Sequence, residues 1–303
     1  MRFANILRNL QAKRYIIMRI HFPLLLFLLI LSSVSSFAQE RARIRVVYDF
    51  DNSVIEGRPR QQTRWAIDIG DSTVLSYNYN QLLHNQKMDS IRKVTSDMNL
   101  LMAKRNELLV NYPGSGPQII IGQPKAGQYK LYDTDGGAIG GDFQYTADIP
   151  ATEWTVNDST KTIEGYRCLQ ATGTVYGRTW TVWFAEELPM PYGPYLLGGL
   201  PGMILEAIDT DSLFHFTLAG ISKLNGGKTI AFTKTEKFLK CTREQYIKQR
   251  NKFDSMTGDE RVKLAEERLA AAAGKKQKII TLDKGGAETT KIKTPIRIHI
   301  EKE

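Results

Sequence analysis

The sequence predicts a mainly β (α+β) protein: a curved antiparallel sheet or half-barrel with an inserted amphipathic helix and a C-terminal helical appendage. Three observations lead there. Short stretches of alternating apolar residues recur along most of the chain, separated by Asp/Gly turns, as half-buried strands require. One long stretch, 81–110, instead repeats its apolar residues at helical spacing. An uncharged segment dense in Pro and Gly interrupts the β-rich part and fits neither a helix nor a central strand. With 42% hydrophobic and 24% charged residues among 303, the chain has material for a real core and is unlike a disordered or collagen-like composition.

Residues 1–38 read as an address. From Met18, the basic Arg19 precedes an apolar run over 22–31 and a small-residue stretch ending Ser36-Phe37-Ala38. This pattern predicts a secretory signal peptide cleaved near Ala38, and hence a periplasmic or secreted mature protein. A membrane anchor needs about twenty apolar residues, more than this run supplies. Met1 and Met18 are both candidate starts.

The β domain is expected over 39–241. Ile44, Val46, Tyr48 and Phe50 alternate with polar residues, predicting a strand over 43–50. The stretches 63–69 and 72–79 read as a hairpin around Gly70-Asp71. Next, Ile91, Val94, Met98, Leu101 and Leu108 predict one amphipathic helix over 81–110, packed on the concave side of the sheet and ended by Pro113-Gly114. Ile119-Ile120-Ile121 reads as a brief strand, and 128–184 as a meander of short strands. A hairpin over 203–208 and 214–221 and a strand over 229–235 complete the sheet. Residues 242–303 form a basic helical extension, with Thr242 as N-cap, a break near Gly258 and Gly274 as C-cap. At the end, Ile296, Ile298 and Ile300 alternate with polar residues and either return as a strand or stay loose.

Charge narrows the partners. Lys+Arg number 41 against 32 Asp+Glu, a net +9, but five of the positive residues lie in the first nineteen. Without 1–38 the net falls to +4, and nucleic acid is not an expected partner. The tail half is the basic one; it is either a solvated lysine-rich face or a dock for an acidic or anionic-lipid surface. Cys168 and Cys241 are the only cysteines. After export they are either two free thiols or a disulfide, which would contribute about 4 kcal/mol in the chain-entropy picture.

The most distinctive stretch is 188–205, with eight Pro or Gly residues between 189 and 202 and no charge between Glu187 and Glu206. It follows Trp154, Ile163-Glu164-Gly165-Tyr166-Arg167-Cys168, Gly177-Arg178-Thr179-Trp180 and Trp183-Phe184. It runs Gly193-Pro194-Tyr195 to Gly199-Leu200-Pro201-Gly202-Met203-Ile204-Leu205-Glu206. Taken together, these elements resemble the GLPGLI family of secreted Bacteroidetes proteins, with Met203 where the family motif has Leu, a swap of similar volume. The resemblance implies an exported, β-rich protein of uncharacterised function, often found near outer-membrane receptor systems, without established catalytic residues.

The site candidates therefore come from the residues themselves. The loop 189–203 either caps the open end of the sheet or, through Tyr192, Tyr195, Leu200 and Met203, lines a groove for an apolar or peptide ligand. Arg178, Trp180 and Phe184 share one strand face and Trp183 the other, so Trp180 is expected in the core. Arg178 is expected to pair with Glu206 or Glu187 and orient the loop, with anion binding as the alternative. His84, His215 and His299 are isolated, without metal-ligand spacing, and no cofactor motif occurs. The reading that follows is a non-enzymatic periplasmic binding or accessory protein for an apolar ligand, a peptide or an outer-membrane partner. Its candidate ligand-binding residues are Arg178, Trp183, Tyr192, Tyr195, Leu200, Met203 and Glu206. The alternatives are an envelope hydrolase using Glu187 and Glu206, and a purely structural envelope protein.

Overall fold

The structure, a computed structural model, describes residues 40–53, 59–114, 116–133, 142–230, 238–257, 259–260, 263–264, 267 and 299–301. The chain divides into two compact units, Met1–Gln39 and Glu40–Glu303. The expected signal peptide lies outside the described residues, as do most of the strand expected over 229–235 and the end of the helical extension.

The second unit is mainly β. Among the described residues twelve strands form one sheet: β1 (Arg41–Asn52), β2 (Gln61–Ile69), β3 (Val74–Asn78), β4 (Gln118–Ile121), β5 (Gln128–Asp133), β6 (Phe143–Asp148), β7 (Thr155–Ile163), β8 (Tyr166–Val175), β9 (Arg178–Ala185), β10 (Met203–Asp209), β11 (Phe214–Thr229) and β12 (Leu239–Lys240). Their order is β12-β6-β5-β4-β3-β2-β1-β11-β10-β9-β8-β7, antiparallel except where β12 joins β6. Most neighbours are sequential hairpins; β1 pairing with β11 joins the two halves.

The sheet curls. Tyr129 on β5 and Tyr176 in the β8–β9 turn belong to opposite halves of the order, yet their hydroxyls meet at 2.8 Å. The face between them is the inner one. Alternation delivers Val46, Tyr48, Phe50, Trp65, Ile67, Ile119, Tyr129, Leu131, Trp180, Val182 and Phe216 to it, all buried in one core. Phe50 stacks on Phe216 with centroids 4.1 Å apart and packs edge-on to Trp65. Trp180, expected in the core, is 2% exposed.

The helical insertion differs from the expectation in two ways. It is a helical hairpin, α1 (Tyr79–Arg92) and α2 (Met98–Asn111), and it does not cover the concave side. The division is local chemistry: Asp97 accepts from the amides of Asn99 and Leu100 and starts a new helix, as Asn78 starts α1 by accepting from Gln81. Leu82 and Tyr79 pack against Ala66, Leu75, Tyr77 and Ile120, which alternation places on the outer face. The inner face is already filled, and of the residues that carry the predicted periodicity Val94, between the two helices, and Met98, at the start of α2, are 82% and 66% exposed, with only Leu108 buried.

The inner face is filled by the Pro/Gly loop and by α3 (Arg243–Asp254), which opens on a capping box between Thr242 and Gln245. Tyr246 and Phe253 of α3 join the core beside Tyr195, Leu196, Leu197, Leu200 and Met203. The loop folds on itself, Gly199 N–H bonding Pro191 O at 3.0 Å and Ile204 N–H bonding Tyr192 O at 3.0 Å. Trp154 donates to Gly198 O at 2.9 Å and Tyr48 to Ile204 O at 2.8 Å. Gly202 is required by contact: a Cβ there would overlap the Ala185 carbonyl.

Cys168 and Cys241 are free thiols. The bridge held open as one alternative is not formed; Cys168 lies on β8 towards one edge of the sheet, and Cys241 follows β12 at the other.

Candidate functional site

The seven candidate residues separate into three places. Tyr195, Leu200 and Met203 are buried core residues on the inner face. Tyr192 is half-buried against the same core and bridges to Gly198. Their loop fills the curl, and the inner volume that it would otherwise line is occupied by its own side chains.

Trp183 and Glu206 lie on the outer face, one strand apart, where the register pairs Glu206 with Trp183 on one side and Thr217 on the other. A small bulge between Ile204 and Glu206 turns the carboxylate outward. Lys161 reaches it from β7 at 2.5 Å and passes over the Trp183 ring at 4.4 Å. His215 Nε2 meets the other carboxylate oxygen at 3.1 Å, with Thr217 Oγ1 3.3 Å from the same ring nitrogen. The bond to His215, and then Lys161, outweigh partial burial and hold the Glu206 carboxyl below its ordinary range. Beside His215 and Thr217 opens a cleft of about 560 Å³, lined also by Asp49, Asp51, Arg64, Asn80 and Tyr112.

This is poor equipment for acid–base hydrolysis. A general acid needs a carboxyl kept protonated near neutral pH; Glu206 is kept ionised with both oxygens engaged. Glu187 lies exposed beyond β9, accepting the Arg167 amide at 3.4 Å. Nothing in these contacts makes the two carboxylates a working pair.

Arg178 occupies the third place, at the inner end of β9, and its partners differ from those expected. It is 2% exposed and pairs with Asp209 and, at 3.3 Å, Asp211, rather than with Glu206 or Glu187. The reason is parity: Arg178 shares the inner face with Trp180, as Asp209 does from β10, whereas Glu206 points outward. Asp209 also accepts the Phe214 amide at 2.8 Å, and the guanidinium lies over the Phe214 ring at 4.7 Å. Its remaining donors hold another segment: Nε bonds Ile300 O at 3.1 Å and Nη2 bonds His299 O at 3.0 Å.

That segment, His299–Glu301, is docked rather than added to the sheet. Glu301 is 6% exposed; it accepts from the Tyr195 hydroxyl at 2.7 Å and from Arg243 at 2.6 Å. Arg243 lies over the Tyr176 ring at 4.3 Å. His299 meets Asp254 of α3 at 2.6 Å, and Ile300 packs on the core. Sequence reasoning missed Asp209, Arg243 and Glu301. The signals available were an Arg on an otherwise apolar strand face, which needs a buried counter-charge, and the apolar alternation ending at Ile300-Glu301.

Residues 144–257, less than half of the chain, match the family described as N-glycanase peptide, N-terminal domain. The match takes in the Pro/Gly loop, Arg178, Glu206 and Arg243, though not Glu301. No curated protein matches. Among solved structures, two crystal forms described as "Structure of PNGF-II", in space groups P21 and C2, are each similar at 15% identity and a TM-score of 0.46, over 71% of this chain. This chain spans about a third of their length, 34%.

Proposed function

We propose that the chain is an exported, non-enzymatic binding or accessory protein of the cell envelope, of the GLPGLI kind, whose ligand is an extended peptide segment of a partner. The observation carrying this reading is the grip on His299–Glu301. A buried guanidinium takes two successive backbone carbonyls while a hydroxyl and a second arginine take a side-chain carboxylate. Such contacts recognise a polypeptide and perform no chemistry on it. Among the ligand classes compatible with the sequence, an apolar small molecule is disfavoured because the loop 189–203 already fills the inner face. Hydrolysis is disfavoured by the ionised, doubly engaged Glu206. The match of 144–257 to a family described as an N-terminal domain supports an auxiliary module and carries no substrate with it.

Fractionation followed by native mass spectrometry of the chain purified from the periplasm tests the reading. The expected result is a processed chain lacking about 38 residues and carrying a substoichiometric polypeptide. Recovery of the unprocessed chain from the cytosol would overturn it.

A further inference from the structure

The walls formed by β9, the Pro/Gly loop and α3 around His299–Glu301 hold each of its residues by a different kind of contact, from which a ligand class can be read. Arg178 is oriented independently of the segment it holds, because Asp209 and Asp211 both engage Nη1 and the Phe214 ring lies against the guanidinium plane. Its free edge meets backbone carbonyls and is therefore indifferent to side-chain identity. Beyond it the core accepts an aliphatic side chain, here Ile300. The next position is specific: Tyr195 Oη and Arg243 Nη2 converge on one carboxylate, with the hydroxyls of Tyr129 and Tyr176 paired nearby. A carboxylate is the group that satisfies both donors, and an unpaired arginine in this buried setting would be costly. Among the described residues the internal occupant does not saturate the site: Arg243 Nε is buried and none of them accepts from it.

We propose that this cleft receives an extended acidic peptide from a partner protein, an aliphatic residue followed by glutamate, and that His299–Glu301 occupies it as an internal competitor. The proposal rests on the binding reading above and adds to it both the ligand's chemistry and its control by self-occupancy. A partner must displace the internal segment, so its apparent affinity is reduced by the fraction of molecules in which that segment is seated.

The probe is a fluorescein-labelled decapeptide with the sequence of residues 294–303, Thr-Pro-Ile-Arg-Ile-His-Ile-Glu-Lys-Glu, measured by anisotropy against the full exported chain. In the Glu301→Gln chain, whose own segment has lost its charge-assisted contacts, the peptide should bind about tenfold or more tightly than to the unaltered chain. Replacing the glutamate at the eighth position of the peptide by glutamine should abolish that gain, and so should Arg243→Gln introduced beside Glu301→Gln. If Glu301→Gln does not fold, His299→Ala, which removes only the bond to Asp254, should loosen the segment and raise peptide affinity in the same direction. Absence of saturable binding to either loosened chain overturns the proposal, as does equal affinity for the glutamate and glutamine peptides. If binding fails while a different polypeptide co-purifies from the periplasm, the acidic-peptide assignment falls and the broader binding reading stands. If the chain carries nothing and is not exported, both fall.

Discussion

Two carboxylates three residues apart on one strand, and so on opposite faces of it, have opposite tasks. Glu206 faces outward, where Lys161 and His215 stabilise its ionised form. Because its folded pKa lies below the ordinary 4.5, the stabilisation is present above that value and is lost as the pH falls through the folded one. Glu206→Gln should therefore cost about 1 kcal/mol at pH 7. Urea titrations at descending pH should show the two chains converging as the pH falls below the ordinary carboxylate range; a constant difference would mean that charge is not what Glu206 contributes. Asp209 faces inward and is the buried counter-ion of Arg178, both nearly without solvent contact. Asp209→Asn leaves the buried guanidinium with only the partly exposed Asp211 as counter-charge, a change costing about 3 kcal/mol. It should lower the thermal midpoint far more than Glu206→Gln, by differential scanning calorimetry, and should also loosen the 299–301 segment.

At the level of elements, most strands were legible: β1 and the β2–β3 hairpin lie where period-two patterning places them, and β4 and the hairpin of β10 and β11 where short apolar runs bounded by turn residues do. The helical insertion was only half legible. Its apolar spacing continues across Val94 and Met98, yet both are solvent-exposed because the Asp97 cap breaks the helix between them. Spacing marks a helix-competent stretch; it does not say that anything is available to bury it. Sidedness was equally invisible, since occupancy of the inner face depends on a loop that lies far downstream in sequence. The Pro/Gly loop was legible as rigid and irregular, and its task as a core plug follows from the enclosure of Tyr195, Leu197 and Met203. The tightest point of that plug is Gly202, where an added methyl meets the Ala185 carbonyl at the end of β9. Gly202→Ala should cost about 1–3 kcal/mol, read as a drop in the chemical denaturation midpoint with an unchanged slope. A neutral outcome would mean that the loop shifts freely against β9.

For the whole molecule, the decisive property is closure, which a sequence of strands does not encode by itself. An open twelve-stranded meander would keep β5 and β8 apart; curling brings Tyr129 to Tyr176 and gives α3 and the 299–301 segment a concavity to enter. Local patterning cannot report this, because each strand looks the same in a flat or a curled sheet, and the residues that close it, Tyr129, Tyr176, Arg243 and Glu301, are scattered over the chain. The candidate site was missed for the same reason: Arg178 was visible alone, and its partners become neighbours only after closure. A double-mutant cycle tests closure directly. Tyr129→Phe and Tyr176→Phe each remove one hydroxyl of a bond formed only when the two halves meet. If the sheet is curled in solution, each single change should cost about 1 kcal/mol and the double change little more, leaving a coupling energy near 1 kcal/mol. Strict additivity would mean that the hydroxyls do not meet, and would remove the concavity on which the peptide cleft depends.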